Sequence, residues 1–441
     1  MPEKKLYIET YGCQMNVADS EIVASVMNNA GYTVTGAIGE ADIILINTCS
    51  IRENAEQKIW NRLKSLKALK KKKPGTMIGV IGCMAERLKE TFLENNLSVD
   101  IVAGPDSYRS LPSLLEETGD DRRRINVALS EEETYADISP VRLNPGGVSA
   151  FISIMRGCNN MCAYCVVPFV RGRERSRNPE SILKEAAGLF NNGYREVTLI
   201  GQNVNSYRWK EAGKTTGFPD ILSAVAHISP LLRVRFSTSH PKDLSDDLLH
   251  TIASHENICK HIHLPVQSGS NRILKLMNRR YTREWYMDRI NAIKTIIPGC
   301  SISTDVIAGF CTETEEDHND TLSLMEWAGF DFAYMFKYSE RPGTKAAGSL
   351  PDDVPDEIKT RRLNEIISLQ NRLSAKSKKG DIGKIHQVLV EGVSKRSPDF
   401  LYGRNSQNKV VVFPKESIKK GDYVNVLVER STSATLSGKV I

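Results

Sequence analysis

Six of the nine cysteines in this 441-residue chain fall into two trios, and neither trio has a fourth partner. One is tight: Cys158, Cys162 and Cys165, in the run Arg-Gly-Cys-Asn-Asn-Met-Cys-Ala-Tyr-Cys. The other is spread over the amino-terminal segment as Cys13, Cys49 and Cys83, each closing an apolar run. A structural zinc site closes with four protein ligands, whereas a 4Fe–4S cube held by three thiolates keeps one iron free for a substrate or cofactor. Two trios therefore predict two cubes, each with an open iron. Zinc is the competing reading, but it lacks a nearby fourth ligand, since His227 and His240 lie many residues from the tight trio.

The first segment alternates apolar runs at 6–10, 42–47 and 76–81 with helical patterns at 19–29 and 53–70. This rhythm predicts a parallel sheet flanked by helices. Cys13, Cys49 and Cys83 follow the carboxyl ends of the three strands, which share the edge where open α/β sheets bind ligands. The Lys70–Lys73 run reads either as a nucleic-acid contact or as a solvated helix end before Pro74-Gly75. A turn-rich, charged stretch from Gly119 to Gly147 reads as a linker. Beyond it, six apolar runs at 151–155, 196–200, 234–237, 261–265, 301–308 and 332–338 alternate with helical patterns. They predict an incomplete (β/α)6 barrel with its site at the strand carboxyl ends.

The texture changes again near Lys378. Short strands at 386–390, 400–403, 410–413 and 423–428, separated by Gly, Pro, Ser and Asn, fit a small β-barrel of about five strands, a shape often used for RNA. From Ser377 to Ile441 there are 12 Lys/Arg against 6 Asp/Glu, which accounts for the whole net charge of +6. That excess suits a polyanion-binding module or a surface kept basic for solubility. The expected α/β organisation is thus an open parallel domain at 1–120, a linker at 121–147, a barrel core at 148–376 and an all-β tail at 377–441. The chain opens without the apolar stretch of a signal peptide, and no segment approaches a membrane span. A cytoplasmic protein with no membrane partner is expected, its cysteines serving metal or catalysis rather than disulfides. Cys259, Cys300 and Cys311, outside both trios, are expected to be buried apolar fillers.

An open iron on the tight trio can chelate the amino and carboxylate groups of S-adenosylmethionine, whose sulfonium bond then breaks on receipt of one electron. Tyr164 is expected to pack against the adenine. The amides and carbonyl of the Gly-Gln-Asn-Val-Asn segment, with Gly201, Gln202 and Asn203, are expected to hold the amino group, and Ser237, Gln267 and Asp305 lie at or near later strand ends. Arg171, Arg173, Arg175 and Arg177 suit either RNA phosphates or an ion-paired structural loop.

At these residues the chain resembles the radical S-adenosylmethionine methylthiotransferases, and within them the branch acting on prenylated adenosine of tRNA. The resemblance runs nearly end to end. It rests on Tyr11 to Asn16, Asn47 to Glu53, Gly82 to Ala85, Cys158 to Gly172, Gly201 to Asn205, Leu264 to Ser270 and Ser339 to Thr344, with a tail like the RNA-binding TRAM domain. It implies that Cys158, Cys162 and Cys165 bind the radical-generating cluster and that Cys13, Cys49 and Cys83 bind an auxiliary one. It also implies two roles for S-adenosylmethionine. One molecule is methyl donor to a cluster sulfur, and another is the radical source that removes hydrogen from C2 of the isopentenyladenosine 3′ to the anticodon. The implied partners are a tRNA anticodon stem-loop, an external reductant and a sulfur source. Sister enzymes act on threonylcarbamoyl-adenosine of tRNA or on a ribosomal-protein aspartate; Gln14-Met15-Asn16 departs from the Pro-Lys-Asn form of the latter. Gly309-Phe310-Cys311-Thr312 departs from the Gly-Phe-Pro-Gly common among relatives, which leaves that loop and Cys311 without an assigned role. In a different class stands a non-catalytic, zinc-stabilised RNA-binding protein, for which a six-strand core would be superfluous.

Overall fold

The computed structural model describes residues 4–50, 53–94, 98–116 and 124–441, with backbone alone at 53–55. Ile51 and Arg52 of the second cysteine motif, and residues 119–123 at the start of the expected linker, lie outside the described residues.

The amino-terminal unit is a six-stranded, all-parallel sheet. Its order is Tyr32–Val34, Lys4–Thr10, Ile43–Thr48, Met77–Gly82, Ile101–Ala103 and Arg124–Asn126. Ile43–Thr48 is buried at every position, as a central parallel strand covered on both faces must be. The three cysteine-bearing strands are consecutive neighbours, and their registers pair Thr10 with Asn47 and Thr48 with Gly82. Their carboxyl ends are therefore level.

Three strands were not legible in the hydrophobic pattern: Tyr32–Val34, Ile101–Ala103 and Arg124–Asn126, each three residues long. The last lies inside the expected 121–147 linker, which does more than connect. It completes the sheet and then buries Tyr135, whose hydroxyl donates to the Pro105 carbonyl at 3.0 Å.

The core has six parallel strands in two half-sheets. Ser149–Ser153, Glu196–Ile200 and Arg233–Phe236 form one, and His261–His263, Ser301–Ala308 and Phe332–Lys337 the other. A single parallel bridge, Val234 with Ile258, joins them. Val197, Leu199, Val234, Ile262, Val306 and Ala333 face outward into the helix layer, leaving Glu196, Arg235, His263 and Asp305 on the opposite, inner face.

The tail is a closed five-stranded barrel. The fifth strand, Thr435–Val440, was missed because Ser437, Gly438 and Lys439 interrupt its apolar alternation. The barrel docks on the amino ends of the core strands. Arg233 Nη1 donates to the Arg404 carbonyl at 2.6 Å, Arg235 Nη2 to the Asn405 carbonyl at 2.8 Å, and the Lys260 amide to Ser406 Oγ at 2.9 Å. Lys409 spans Asp381 and Asp331. The 24-residue helix Asp356–Lys379 leads into this joint. Part of the tail's positive charge is thus spent internally, while Lys384, Lys395, Arg396, Lys415, Lys419 and Lys420 remain exposed.

Arg235 is ion-paired with buried Glu196 at 2.7 Å while holding the tail. Breaking such a pair strands a charge and costs about 3–5 kcal/mol. Arg235→Met is expected to lower unfolding free energy in urea by about 3 kcal/mol, with the tail and core still unfolding together. Loss of less than about 1 kcal/mol would remove this joint from the stabilising contacts.

Candidate functional site

Cys13 is the N-cap residue of the helix Gln14–Asn29, Cys49 follows the strand Ile43–Thr48, and Cys83 opens the helix Cys83–Leu88. A buried pair of amides ties these ends together. Asn16 Nδ2 donates to Asn47 Oδ1 at 2.9 Å and to the Thr48 carbonyl at 3.0 Å, while Asn47 Nδ2 donates to the Asn16 carbonyl at 2.9 Å. Gly82, with φ +92°, brings the backbone so close that a Cβ there would fall 2.5 Å from Asn47 Oδ1; only glycine permits this approach. The Cys13 thiol is held down to about 6, first by its hydrogen bond with Cys49 and then by the Arg171 guanidinium. Burial instead pushes the Cys83 thiol up, against the pull of Arg171. Cys13 and Cys49 are thus in hydrogen-bond contact, and Arg171 faces both Cys13 and Cys83.

The tight trio sits in a closed excursion. The antiparallel ribbon of Met155–Arg156 with Arg175–Ser176 pins its two ends. Gly157, φ +74°, could not carry a Cβ, which would collide with the Arg173 carbonyl. The loop is fastened to the opposite half of the core by Ala163 N to the Met277 carbonyl at 2.9 Å and Asn278 Nδ2 to the Met161 carbonyl at 2.6 Å. Burial raises Cys158 to about 11 and Cys165 to about 12. Such thiols are protonated until a metal displaces the proton, so loading this loop releases protons. Among the described residues no three His, Cys, Asp or Glu side chains converge on a point suited to one metal ion.

The other expected contacts are placed unevenly. Gln202 Oε1, Asn203 Oδ1 and Asn205 Nδ2 are buried with no hydrogen-bond partner, while Asp305 Oδ1 stands 3.2 Å from His263 Nε2. Buried polar atoms are normally satisfied, so these mark places for a polar ligand at the strand ends. Gly201 abuts Met155, where a Cβ would come within 2.4 Å of Cγ. Gln267, at φ +71°, is bonded through its amide to the Asp305 carbonyl at 2.8 Å. Ser237 is half-buried, and its amide continues the sheet to Leu199. Tyr164 packs edge-on against Phe310, ring centres 6.4 Å apart, with its hydroxyl 3.4 Å from Arg279 Nη1.

The alternating arginines resolve as structural for three of the four. Arg171 pairs with Asp19 at 2.7 Å, Arg175 with Asp106 at 3.0 Å and Arg177 with Glu185 at 2.5 Å, whereas Arg173 is exposed. Arg171 also donates Nε to Cys83 Sγ at 3.1 Å. A residue just past the tight cysteine loop thus touches a thiol of the other trio, which ties the two cysteine-bearing segments together. Sequence reasoning missed Asp19, Asn16, Arg156 and Arg279; no spacing rule distinguishes a buried arginine from a solvated one. Cys259 and Cys311 are buried and Cys300 half-buried. Cys311 packs with Phe310 and Tyr338, and Thr312 takes the left-handed conformation, φ +61°, at a position where glycine would be unstrained.

Glu86, one helical turn after Cys83, is 3 % exposed, with Oε2 unpartnered. Burial raises its carboxyl from 4.5 to about 7. Between those values the native state holds a proton that the unfolded chain has lost, so stability falls as pH rises through the window and levels off above it. Glu86→Gln is expected to abolish that loss, matching the parent near pH 5 and exceeding it at pH 8 in urea titrations. A parallel pH slope in both proteins would refute it.

Comparison with known proteins follows the same three-part division. Residues 5–104 match the Uncharacterized protein family UPF0004, residues 152–325 the Radical SAM superfamily and residues 381–441 the TRAM domain. The chain is 60 % identical over 439 residues to a Bacteroides fragilis protein named tRNA-2-methylthio-N(6)-dimethylallyladenosine synthase, covering 99 % of this chain and 96 % of that one. A Porphyromonas gingivalis protein of the same name is 55 % identical over 442 residues, covering 100 % and 95 %. Among solved structures, the radical S-adenosylmethionine methyltransferase TsrM from Kitasatospora setae aligns with TM-score 0.58 at 13 % identity, over 78 % of this chain and 75 % of that one. The cobalamin-dependent S-adenosylmethionine radical enzyme OxsB aligns with TM-score 0.53 at 13 % identity, over 84 % and 56 %. These two share the fold. The near-full-length identity is decisive: the chain belongs to the tRNA-2-methylthio-N(6)-dimethylallyladenosine synthase family.

Proposed function

We propose that this protein is a radical S-adenosylmethionine methylthiotransferase that converts N6-isopentenyladenosine 3′ to the anticodon of tRNA into its 2-methylthio derivative. Family membership carries the reaction. The contact of Arg171 with Cys83 is the observation that supports its geometry, because both trios must address one substrate atom. Cys158, Cys162 and Cys165 would hold one 4Fe–4S cluster and Cys13, Cys49 and Cys83 the other. Six thiols with no disulfide partner, four of them buried, Cys165 half-buried and Cys13 exposed, suit that donor set. The unpartnered atoms of Gln202, Asn203 and Asn205, with the carboxylate of Asp305 beside His263, would receive polar groups of S-adenosylmethionine. When bound, these groups supply the one-electron chemistry and the sulfur that exchange of C–H for C–SCH3 requires.

The chain's own residues hold and enclose. Asp19, fully buried, joins Arg156 and Arg171 and fixes one cysteine-bearing domain on the other. The apolar contact of Met15 and Ala18 with Ile200 keeps water from that seam. The exposed lysines of the tail would neutralise tRNA phosphates, giving an affinity that falls steeply with salt. An external reductant and a sulfur source complete the reaction, and a tRNA substrate implies the cytoplasm. No helix among the described residues is long and apolar enough to cross a membrane.

Anaerobically loaded protein is expected to carry about eight irons, two cubes, and to produce the methylthio nucleoside from a prenylated anticodon stem-loop but not an unprenylated one, read by mass spectrometry. Cys158→Ala should abolish deoxyadenosine formation. Cys13→Ala should retain that cleavage and lose methylthio transfer. Methylthio product from either variant would overturn the cluster assignments.

A further inference from the structure

Each trio has one buried arginine aimed at one of its sulfurs, and the two arginines differ in what balances them. Arg171 meets Cys83 Sγ at 3.1 Å and Asp19 Oδ2 at 2.7 Å, so a carboxylate already opposes its charge. Arg279 is 4 % exposed. It directs Nη1 to Cys162 Sγ at 3.3 Å and to the Tyr164 hydroxyl at 3.4 Å. Its Nε donates to the Tyr281 hydroxyl at 3.0 Å and its Nη2 to the Pro265 carbonyl at 2.8 Å. Among the described residues no carboxylate joins these partners. All three nitrogens of its planar fork are engaged, yet every oxygen acceptor is neutral.

A guanidinium cannot shed its proton to escape burial, and an unopposed buried charge costs several kcal/mol. Neutral hydroxyls and a carbonyl satisfy the hydrogen bonds without supplying the missing negative charge. Burial keeps the Tyr164 and Tyr281 hydroxyls neutral, whereas the thiol of Cys162 becomes anionic on ligation to a metal. Arg279 itself sits just past the helix Asn271–Leu276, between Asn278 and Arg280, both in the left-handed region (φ +57° and +58°). The backbone on either side of it is thus held in an uncommon shape that delivers the side chain to the loop.

We propose that Arg279 is the counter-charge of the cluster held by Cys158, Cys162 and Cys165, a positioning residue that favours the reduced cluster through its bond to the Cys162 sulfur. The inference rests on the reading above that this trio holds a cube. Reduction adds one negative charge beside a fixed cation, so the cation stabilises the reduced form and raises the potential. Arg171 shares the Asp19 carboxylate with Arg156, so the auxiliary trio faces a cation that is partly opposed, whereas Arg279 has no carboxylate partner among the described residues. The two clusters would thereby sit in unlike fields although their thiol sets are alike.

The test is a redox titration of the full, anaerobically loaded chain followed by electron paramagnetic resonance, the radical cluster being recognised by its spectral response to added S-adenosylmethionine. Eight irons and that response in the parent protein establish the underlying reading independently of the outcome. Arg279→Gln, which keeps a donor and removes the charge, is expected to lower the reduction equilibrium of the responsive signal tenfold or more, about 59 mV for one electron. Arg279→Lys is expected to restore most of it, and Arg171→Gln to leave that signal's potential unmoved. Loss of the responsive cluster alone in Arg279→Gln, with about four irons retained and rescue by Arg279→Lys, would equally support the assignment. An unchanged potential with both clusters present would overturn it, as would identical behaviour of the Gln and Lys variants, including shared unfolding by circular dichroism. A shift confined to S-adenosylmethionine affinity would assign the guanidinium to the cofactor's carboxylate and overturn it too.

Discussion

The carboxylate of Asp19 is the hinge pin of the molecule. It is fully buried, accepts from Arg156 at 2.8 Å and from Arg171 at 2.7 Å, and stands 3.3 Å from the Tyr108 hydroxyl. The two guanidiniums keep its carboxyl ionised below the usual range despite the opposing cost of burial. Asp106 repeats the arrangement with Arg156 and Arg175. Buried ion pairs add little net stability over apolar packing, but they are intolerant of misalignment, because each separated partner is a stranded charge. That intolerance is useful here. Two domains that each hold half of a reaction need a fixed relative placement more than a large affinity.

The same economy appears around the cysteines. The Asn16–Asn47 pair does not touch solvent and serves to hold three loop ends level. The tight loop is fastened by backbone and amide contacts from the far side of the core. In both cases rigidity comes from hydrogen bonds that an apolar contact could not direct.

Much of this was legible in the sequence. Parallel strands buried on both faces announce themselves as unbroken apolar runs, and Cys13, Cys49 and Cys83 could be set on one edge from strand order alone. The six core strands and the small barrel followed from period and turn residues. What escaped was of two kinds. Three-residue strands such as Arg124–Asn126 carry too few residues for a period and are fixed only by their neighbour's free edge. Long-range pairings such as Asp19 with Arg156 leave no local trace, because charged residues read as surface unless their partners are known. The four alternating arginines show the limit well: three are buried struts, one is solvent-facing, and their spacing in sequence is uniform.

The docking of the tail on the amino ends of the core strands has a geometric corollary. The cysteines and unpartnered amides occupy the other pole, so the strands themselves form a spacer. Ser301–Ala308, eight residues long, spans roughly 26 Å at about 3.3 Å per residue. The joint with the tail and the cysteine-bearing edge therefore lie at opposite ends of the core, apart by about the length of its longest strand. The protein is in this sense a caliper, whose two jaws are kept apart by the strands between them.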